Sequence, residues 1–275
     1  MFSKRMFSQH HPLSGTFVFQ SGPTAAPLIW KQQGLALVGD AEGSELGYLV
    51  ALSKDTRTLA MGAPYYNNYT GCIKVYCTNN DGGNRVQLGQ TIYSNATDDW
   101  FGYSVDITAN GMIIICGSPV NNGPGYVRVF SLLVDSNNNL GTNTSWEQIG
   151  QDIIREANSN QFGYSVSISK DGKTIAVGAD WKDGDNGVDS GLVRIYRLKE
   201  DDGTRWEQIG QDIDGKAAYD SSGASVSLSA DGMLVAIGSP RNDKNGELSC
   251  QVRVYQWPRI KLGTAGPGHL RRQCG

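Results

Sequence analysis

The residues best suited to chemistry are four aspartates in one loop. Asp180, Asp183, Asp185 and Asp189 fall within Asp180-Trp181-Lys182-Asp183-Gly184-Asp185-Asn186-Gly187-Val188-Asp189. Calcium is held by several carboxylate and carbonyl oxygens around a glycine that permits a sharp turn. These aspartates are therefore the candidate metal ligands, and calcium is the one cofactor to consider; the alternative is a solvated Asp/Gly turn. A second loop, Asn242-Asp243-Lys244-Asn245-Gly246-Glu247, sets a lysine among its ligands and is the poorer candidate.

Catalysis finds less support. Asp98 and Asp99 could serve glycoside hydrolysis only if they faced each other at a fixed separation, and adjacent loop residues point apart. Ser104, Ser165 and Ser225 recur at equivalent positions, which packing explains better than nucleophilic attack. The histidines are His10, His11 and His269, so residues 12–268 hold no imidazole for a Ser-His, Cys-His or His-metal arrangement. No glycine-rich loop has P-loop spacing. The expectation is a protein that is not an enzyme, with no catalytic residues.

Four aligned segments position these residues. The anchoring glycines Gly47, Gly102, Gly163 and Gly223 are spaced 55, 61 and 60 residues apart. After each comes an alternating run, such as Tyr164-Ser165-Val166-Ser167-Ile168, with apolar residues on one side and small polar ones on the other. Period two marks a strand. A turn with Asp-Gly or Asn-Gly (Lys170-Asp171-Gly172-Lys173, Ala230-Asp231-Gly232-Met233, Ala109-Asn110-Gly111-Met112) then leads into an apolar run ending in glycine. Such turns tolerate positive φ and read as hairpins. A third run follows, Leu192 to Tyr196 in the third unit.

A fourth element, Trp146-Glu147-Gln148-Ile149-Gly150-Gln151-Asp152-Ile153, recurs from Trp206 to Ile213, with weaker copies at residues 30–37 and 85–92. It precedes each anchoring glycine and is grouped with the unit that follows it. Four strands per unit of about 60 residues predict an all-β fold, a β-propeller of four-stranded antiparallel blades. It would have four full repeats plus a partial one. The serine side lets neighbouring sheets approach closely, and Trp30, Trp146 and Trp206 fill the space between blades.

Composition agrees. Glycine is 35 of 275 residues, which suits many tight turns. The net charge of −3 gives no electrostatic footprint for nucleic acid. No apolar stretch is long enough to span a membrane, so no membrane insertion is expected in this segment.

Phe101-Gly102 with Gly117-Ser118-Pro119, Phe162-Gly163 with Gly178-Ala179-Asp180, and Gly62-Ala63-Pro64 together resemble the FG-GAP repeat. The resemblance covers about residues 30–257. It implies a propeller like that of integrin α chains and related extracellular proteins, which are seven-bladed and hold calcium in D-x-D-x-D-G loops. Here the glycine after Asp183 arrives one position early, and there are four full units.

The expected domains are residues 1–29, with the last strand of a partial blade at residues 15–19; residues 30–257, the four blades; and residues 258–275, a basic, non-repeating tail expected to be disordered. The ends read as those of a fragment, whose other partners would be further propeller blades; closure of four blades into a small ring is the alternative.

Loops before each Phe-Gly and after each Gly-Ala-Pro share one face, rich in aromatics and acids. Functional residues concentrate on such loops. Tyr65, Tyr66 and Trp181 are the binding-face candidates. Asn68, Asn95 and Asn143 open N-x-Ser/Thr glycosylation sequons. Cys72, Cys77, Cys116, Cys250 and Cys274 are odd in number, with buried thiols expected at Cys72 and Cys116. No signal peptide is visible.

The function expected is non-catalytic binding or adhesion, extracellular or at the cell surface, through a protein or glycan ligand on the loop face. The alternatives are an accessory propeller of a larger secreted hydrolase and a structural repeat without specific ligand.

Overall fold

A computed structural model describes residues 29–78, 83–119, 124–134, 144–154, 161–183, 186–199, 205–243 and 249–258. The chain divides into residues 1–32, of which 29–32 are described and carry no strand, and residues 33–275. The described residues of the second unit are all-β and form four antiparallel sheets.

Sheet 1 runs β1 (Val50–Leu52), β2 (Thr58–Ala63) and β3 (Cys72–Thr78), with β4 (Arg85–Gln87) and β5 (Ile92–Tyr93) both paired to β3. Sheet 2 repeats this with β6 (Ser104–Ile107), β7 (Ile113–Ser118), β8 (Tyr126–Leu133), β9 (Ser145–Gln148) and β10 (Ile153–Ile154). Sheet 3 contains β11 (Ser165–Ile168), β12 (Thr174–Ala179), β13 (Leu192–Leu198), β14 (Trp206–Gln208) and β15 (Ile213–Asp214). Sheet 4 has three strands, β16 (Ser225–Leu228), β17 (Leu234–Ser239) and β18 (Gln251–Gln256).

Register follows from the repeat. Ser165, Val166, Ser167 and Ile168 face Gly178, Val177, Ala176 and Ile175. Ser225, Val226, Ser227 and Leu228 face Gly238, Ile237, Ala236 and Val235 in the same way. The hairpins between them are closed by side chains. The Ser169 hydroxyl donates to Asp171 at 2.6 Å, and the Lys173 amide donates to the same carboxylate at 3.0 Å. Gly172 takes φ 73, which glycine adopts without a Cβ clash.

One grouping is corrected. The Trp-x-Gln-x-Gly element does not join the unit that follows it. Trp146 pairs with Leu132 and Trp206 with Leu198, so each element is the outer strand of the sheet before it. A break after the Gln splits that strand in two. Residues 30–37, the weakest copy, form no strand, and Trp30 is exposed. The described sheets are thus three with a complete outer edge and a fourth with three strands.

The core lies between sheets. Ile73, Val75 and Leu88 of sheet 1 pack on Phe101, Val105 and Ile114 of sheet 2. Val127 and Val129 meet Phe162, Val166 and Val177 of sheet 3. Ala176 and Val193 meet Val235 and Ile237 of sheet 4. Trp146 and Trp206 are buried in the first and second of these layers. Their indole N–H groups donate to the carbonyls of Leu88 at 2.8 Å and Ile149 at 3.0 Å. The serine side does permit close approach: a Cβ on Gly117 or Gly178 would lie about 2 Å from the carbonyl oxygen of Gly163 or Gly223 in the next sheet.

Candidate functional site

At one end of the sheets the loops bring aromatic rings together. Tyr48, Tyr103 and Tyr164 each follow an anchoring glycine, and Gly47, Gly102 and Gly163 take φ 91, 87 and 92. That shared conformation turns all three rings toward the same end of the innermost strands. Tyr48 lies 5.0 Å from Tyr103, and Tyr103 lies 5.2 Å from Tyr164, centroid to centroid. Trp100 stacks on Tyr103 at 6.0 Å. Tyr65 meets Tyr48 and Tyr69 edge-on at 5.6 Å and Trp100 at 6.1 Å. Six rings from three sheets thus form one continuous cluster.

The loops carrying the rings are tied to each other. The Trp100 amide donates to the Tyr69 carbonyl at 2.8 Å, and the Tyr103 amide to the Trp100 carbonyl at 3.0 Å. Glu45, Asn67, Asn68, Tyr69, Asp98 and Trp100 all hold positive φ between 48 and 60. Left-handed backbone costs a side-chain-bearing residue free energy and gathers where structure over-determines it.

Two cavities border the cluster. One, about 350 Å³, lies where the innermost strands of all four sheets converge and is lined by Tyr48, Tyr103, Tyr164, Ser165, Ala224 and Ser225. The other, about 700 Å³, is lined by Glu42, Glu45, Tyr65, Asn67, Asn68 and Tyr69. Burial and hydrogen bonding with Tyr48 push the Tyr65 phenol up to about 12. Burial and hydrogen bonds with Tyr164 and Tyr48 push the Tyr103 phenol higher still.

Of the binding-face candidates, Tyr65 stands at the centre of the cluster. Tyr66 turns aside to Tyr93, 5.7 Å away. Trp181 sits apart on sheet 3, half-exposed, with the Arg241 guanidinium 5.9 Å above its ring. Sequence reasoning missed Tyr48, Trp100, Tyr103 and Tyr164. The three tyrosines share a signal, a tyrosine after the anchoring glycine in three units of four, where Tyr103 and Tyr164 read as apolar strand positions; Trp100 has no such repeat.

Three of the four loop aspartates, Asp180, Asp183 and Asp189, lie within the described residues. Asp180 is buried and its Oδ1 has no hydrogen-bond partner among the described residues. Burial raises its carboxyl to about 7, with Arg241 opposing and Asp189 adding to the rise. Asp183 instead accepts the Asp189 amide at 3.0 Å. Asp185 lies outside the described residues. Among those residues no group of three or more His, Cys, Asp or Glu side chains is placed to hold a metal.

The remaining candidates fall as follows. Asp99 accepts from the Ser94 hydroxyl and, at 2.9 Å, from the Tyr126 hydroxyl, while Asp98 is exposed beside it. Ser104 and Ser165 donate to the carbonyls of Gly163 and Gly223, each at 2.7 Å. Asn68 and Asn95 are exposed, and Asn143 lies outside the described residues. Cys72, Cys77 and Cys116 are buried thiols. Among the described residues no helix is long and apolar enough to cross a membrane.

Residues 156–196 match the family model of the FG-GAP repeat. No curated protein sequence matches the chain. Among solved structures, it is similar to a periplasmic gluconolactonase from Pseudomonas aeruginosa at 14% identity and TM-score 0.48, covering 77% of this chain and 58% of that one. It is also similar to a putative TolB from Agrobacterium tumefaciens at 13% identity and TM-score 0.41, covering 75% and 57%. The chain spans less than two thirds of either.

Proposed function

We propose, from the premise that this chain is an FG-GAP repeat protein of the β-propeller type, that it is a non-catalytic binding module working outside the cell or at its surface. Its partner is a protein or a glycan, and the contact surface is the aromatic end of the sheets. The observation that carries this reading is the continuous cluster from Tyr69 through Tyr65, Tyr48 and Tyr103 to Tyr164. Aromatic rings present large apolar area and a polar tip at low conformational cost, which suits them to recognition. Tyr48 and Tyr69 are more than two-fifths exposed, although each packs on other rings.

The reading calls for no cofactor. Ser104, Ser165 and the Asp99 carboxylate are engaged in holding sheets and loops together. Asn68 and Asn95 are proposed as glycan acceptors. Because Asn68 lines the same cavity as Tyr65 and Tyr69, a glycan there would stand beside the cluster.

The test is binding of the full chain to arrayed glycans and immobilised extracellular-matrix proteins, repeated with Tyr48→Ala and Tyr69→Ala. A ligand whose affinity falls roughly tenfold or more in both variants supports the reading. Ligands bound equally by wild type and variants, or binding to neither panel, would overturn it.

A further inference from the structure

Each joint between consecutive sheets uses the same atoms. The carbonyl of the anchoring glycine in one sheet lies over the glycine of the Gly-Ala-Pro position in the sheet before. A Cβ built on Gly62, Gly117 or Gly178 would come within 1.9, 2.0 or 2.1 Å of the oxygen of Gly102, Gly163 or Gly223. In the last two joints a serine completes the grip, Ser104 on Gly163 and Ser165 on Gly223. A second bond crosses lower down. The Ile168 amide donates to Asp106 at 2.9 Å, and the Leu228 amide to Ser167 at 3.1 Å.

The two terminal sheets each hold one half of this joint. On sheet 4, Ser225 and Ser227 are exposed, and among the described residues a Cβ on Gly238 would meet its own sheet, nearest the Ser225 hydroxyl at 2.3 Å. Around them Val252 and Val254 are 72% and 65% exposed, where the equivalent Val193 is buried under sheet 4. On sheet 1, Gly47 holds the joint conformation with nothing among the described residues within 4 Å of a Cβ, and Val50 and Leu52 are more than half exposed. The equivalent Val166 and Ile168 are buried. One surface therefore has the serine, the bare glycine and the valines. The other has the glycine carbonyl, the amide of Leu52 and its own apolar pair.

We infer that a second copy of this chain fills both gaps, giving a closed two-fold dimer with eight sheets around one axis. Ser225 of each copy donates to the Gly47 carbonyl of the other, the Leu52 amide donates to Ser227, and Val50 and Leu52 cover Val252 and Val254. Both joints are identical, as a two-fold axis requires, and head-to-tail surfaces make a ring when the rotation closes. Eight blades is within the range of known propellers, about four to eight. In this dimer the cavity lined by Tyr48, Tyr103, Tyr164 and Ala224 in each chain lies on the shared axis.

Sedimentation of the full chain tests this. The expected mass is twice the 29.7 kDa of one chain. Ser225→Ala with Gly238→Ala removes the one close neighbour of the new Cβ among the described residues, so the fold is kept. Across the joint, however, that Cβ meets the Gly47 carbonyl, and the dimer dissociation constant should rise roughly tenfold or more. Circular dichroism at dilutions where both proteins are monomeric checks the fold. As a second handle, Val50→Lys and Val254→Glu should each be monomeric alone and dimeric when mixed. A wild type that stays monomeric, or that grows into longer chains, overturns the inference. So does a dimer indifferent to these substitutions.

Discussion

The hydroxyl of Ser165 reaches the carbonyl of Gly223, 2.7 Å away and 58 residues along the chain. That bond spans the joint between sheets 3 and 4, and it forms only because Gly178 beneath it has no side chain. A methyl group at Gly178 would stand 2.1 Å from the same backbone oxygen, which cannot move without carrying its strand. Overpacking a rigid backbone contact costs about 1–3 kcal/mol or more. Gly178→Ala should therefore lower the urea midpoint sharply, while Ser165→Ala, which loses one hydrogen bond, should cost about 1 kcal/mol. Equal effects of the two would mean that sheet spacing is not set by the glycine.

The first hairpin departs from the other three. Where Gly111, Gly172 and Gly232 hold φ between 66 and 73, Thr56 holds φ 63. A left-handed L-residue pays roughly 1–2 kcal/mol, and β-branching makes Thr a poor occupant. Thr56→Gly should stabilise the protein by about 1 kcal/mol in thermal or urea denaturation, despite glycine's greater freedom when unfolded. The Asp55 carboxylate, which accepts the Arg57 amide at 3.0 Å, keeps the turn closed in the variant. A loss of stability would show that the Thr56 side chain contributes more than its backbone strain.

Much of this architecture was legible because a repeat states each rule several times. Period two in Tyr164-Ser165-Val166-Ser167-Ile168 and the Asp-Gly turns each fix a local geometry, and the register of Ser165 on Gly178 follows. Which sheet the Trp146 element joins was not legible. Its strand pattern is the same whether it pairs forward or back, and hydrogen bonding to Leu132 decides it. The aromatic site was half legible. Tyr65 stood out as a loop aromatic, but Tyr103 and Tyr164 occupy the apolar phase of a strand and read as core. Only the left-handed glycines before them bring the rings to the axis end. In the aspartate loop, proximity in sequence does not give a shared place: Asp180 sits at a strand exit and Asp183 on a turn amide.

The tyrosine cluster has a spectroscopic signature. Burial, then hydrogen bonding with Tyr48, pushes the Tyr65 phenol from the usual 10 up to about 12. Absorbance at the tyrosinate band should show a fraction of the phenols ionising well above the rest. Tyr48→Phe removes a hydroxyl whose bond and charge both oppose ionisation of Tyr65, so Tyr65 should then ionise at lower pH. The Tyr103 phenol should move the same way, since it also bonds Tyr48. A titration curve unchanged by Tyr48→Phe would break the hydroxyl network apart.

Asp180 makes stability depend on pH. It replaces the proline that ends the equivalent strand in the other units, and the residue is 4% exposed with no partner for Oδ1 among the described residues. Burial is the main cause that lifts its pKa from 3.8 to about 7. Between those values the folded chain keeps this proton and the unfolded chain has lost it, so raising the pH through that window favours unfolding. The protonated form contributes fully below pH 4, and the whole cost of burying the charge is present above pH 7. Asp180→Asn holds the site neutral at every pH. It should stabilise the protein by about 1–3 kcal/mol at pH 8 and leave it nearly unchanged at pH 4. Urea midpoints of both proteins from pH 4 to pH 8 check this. Parallel curves would mean that Asp180 is ionised throughout, held by Arg241 on the neighbouring loop.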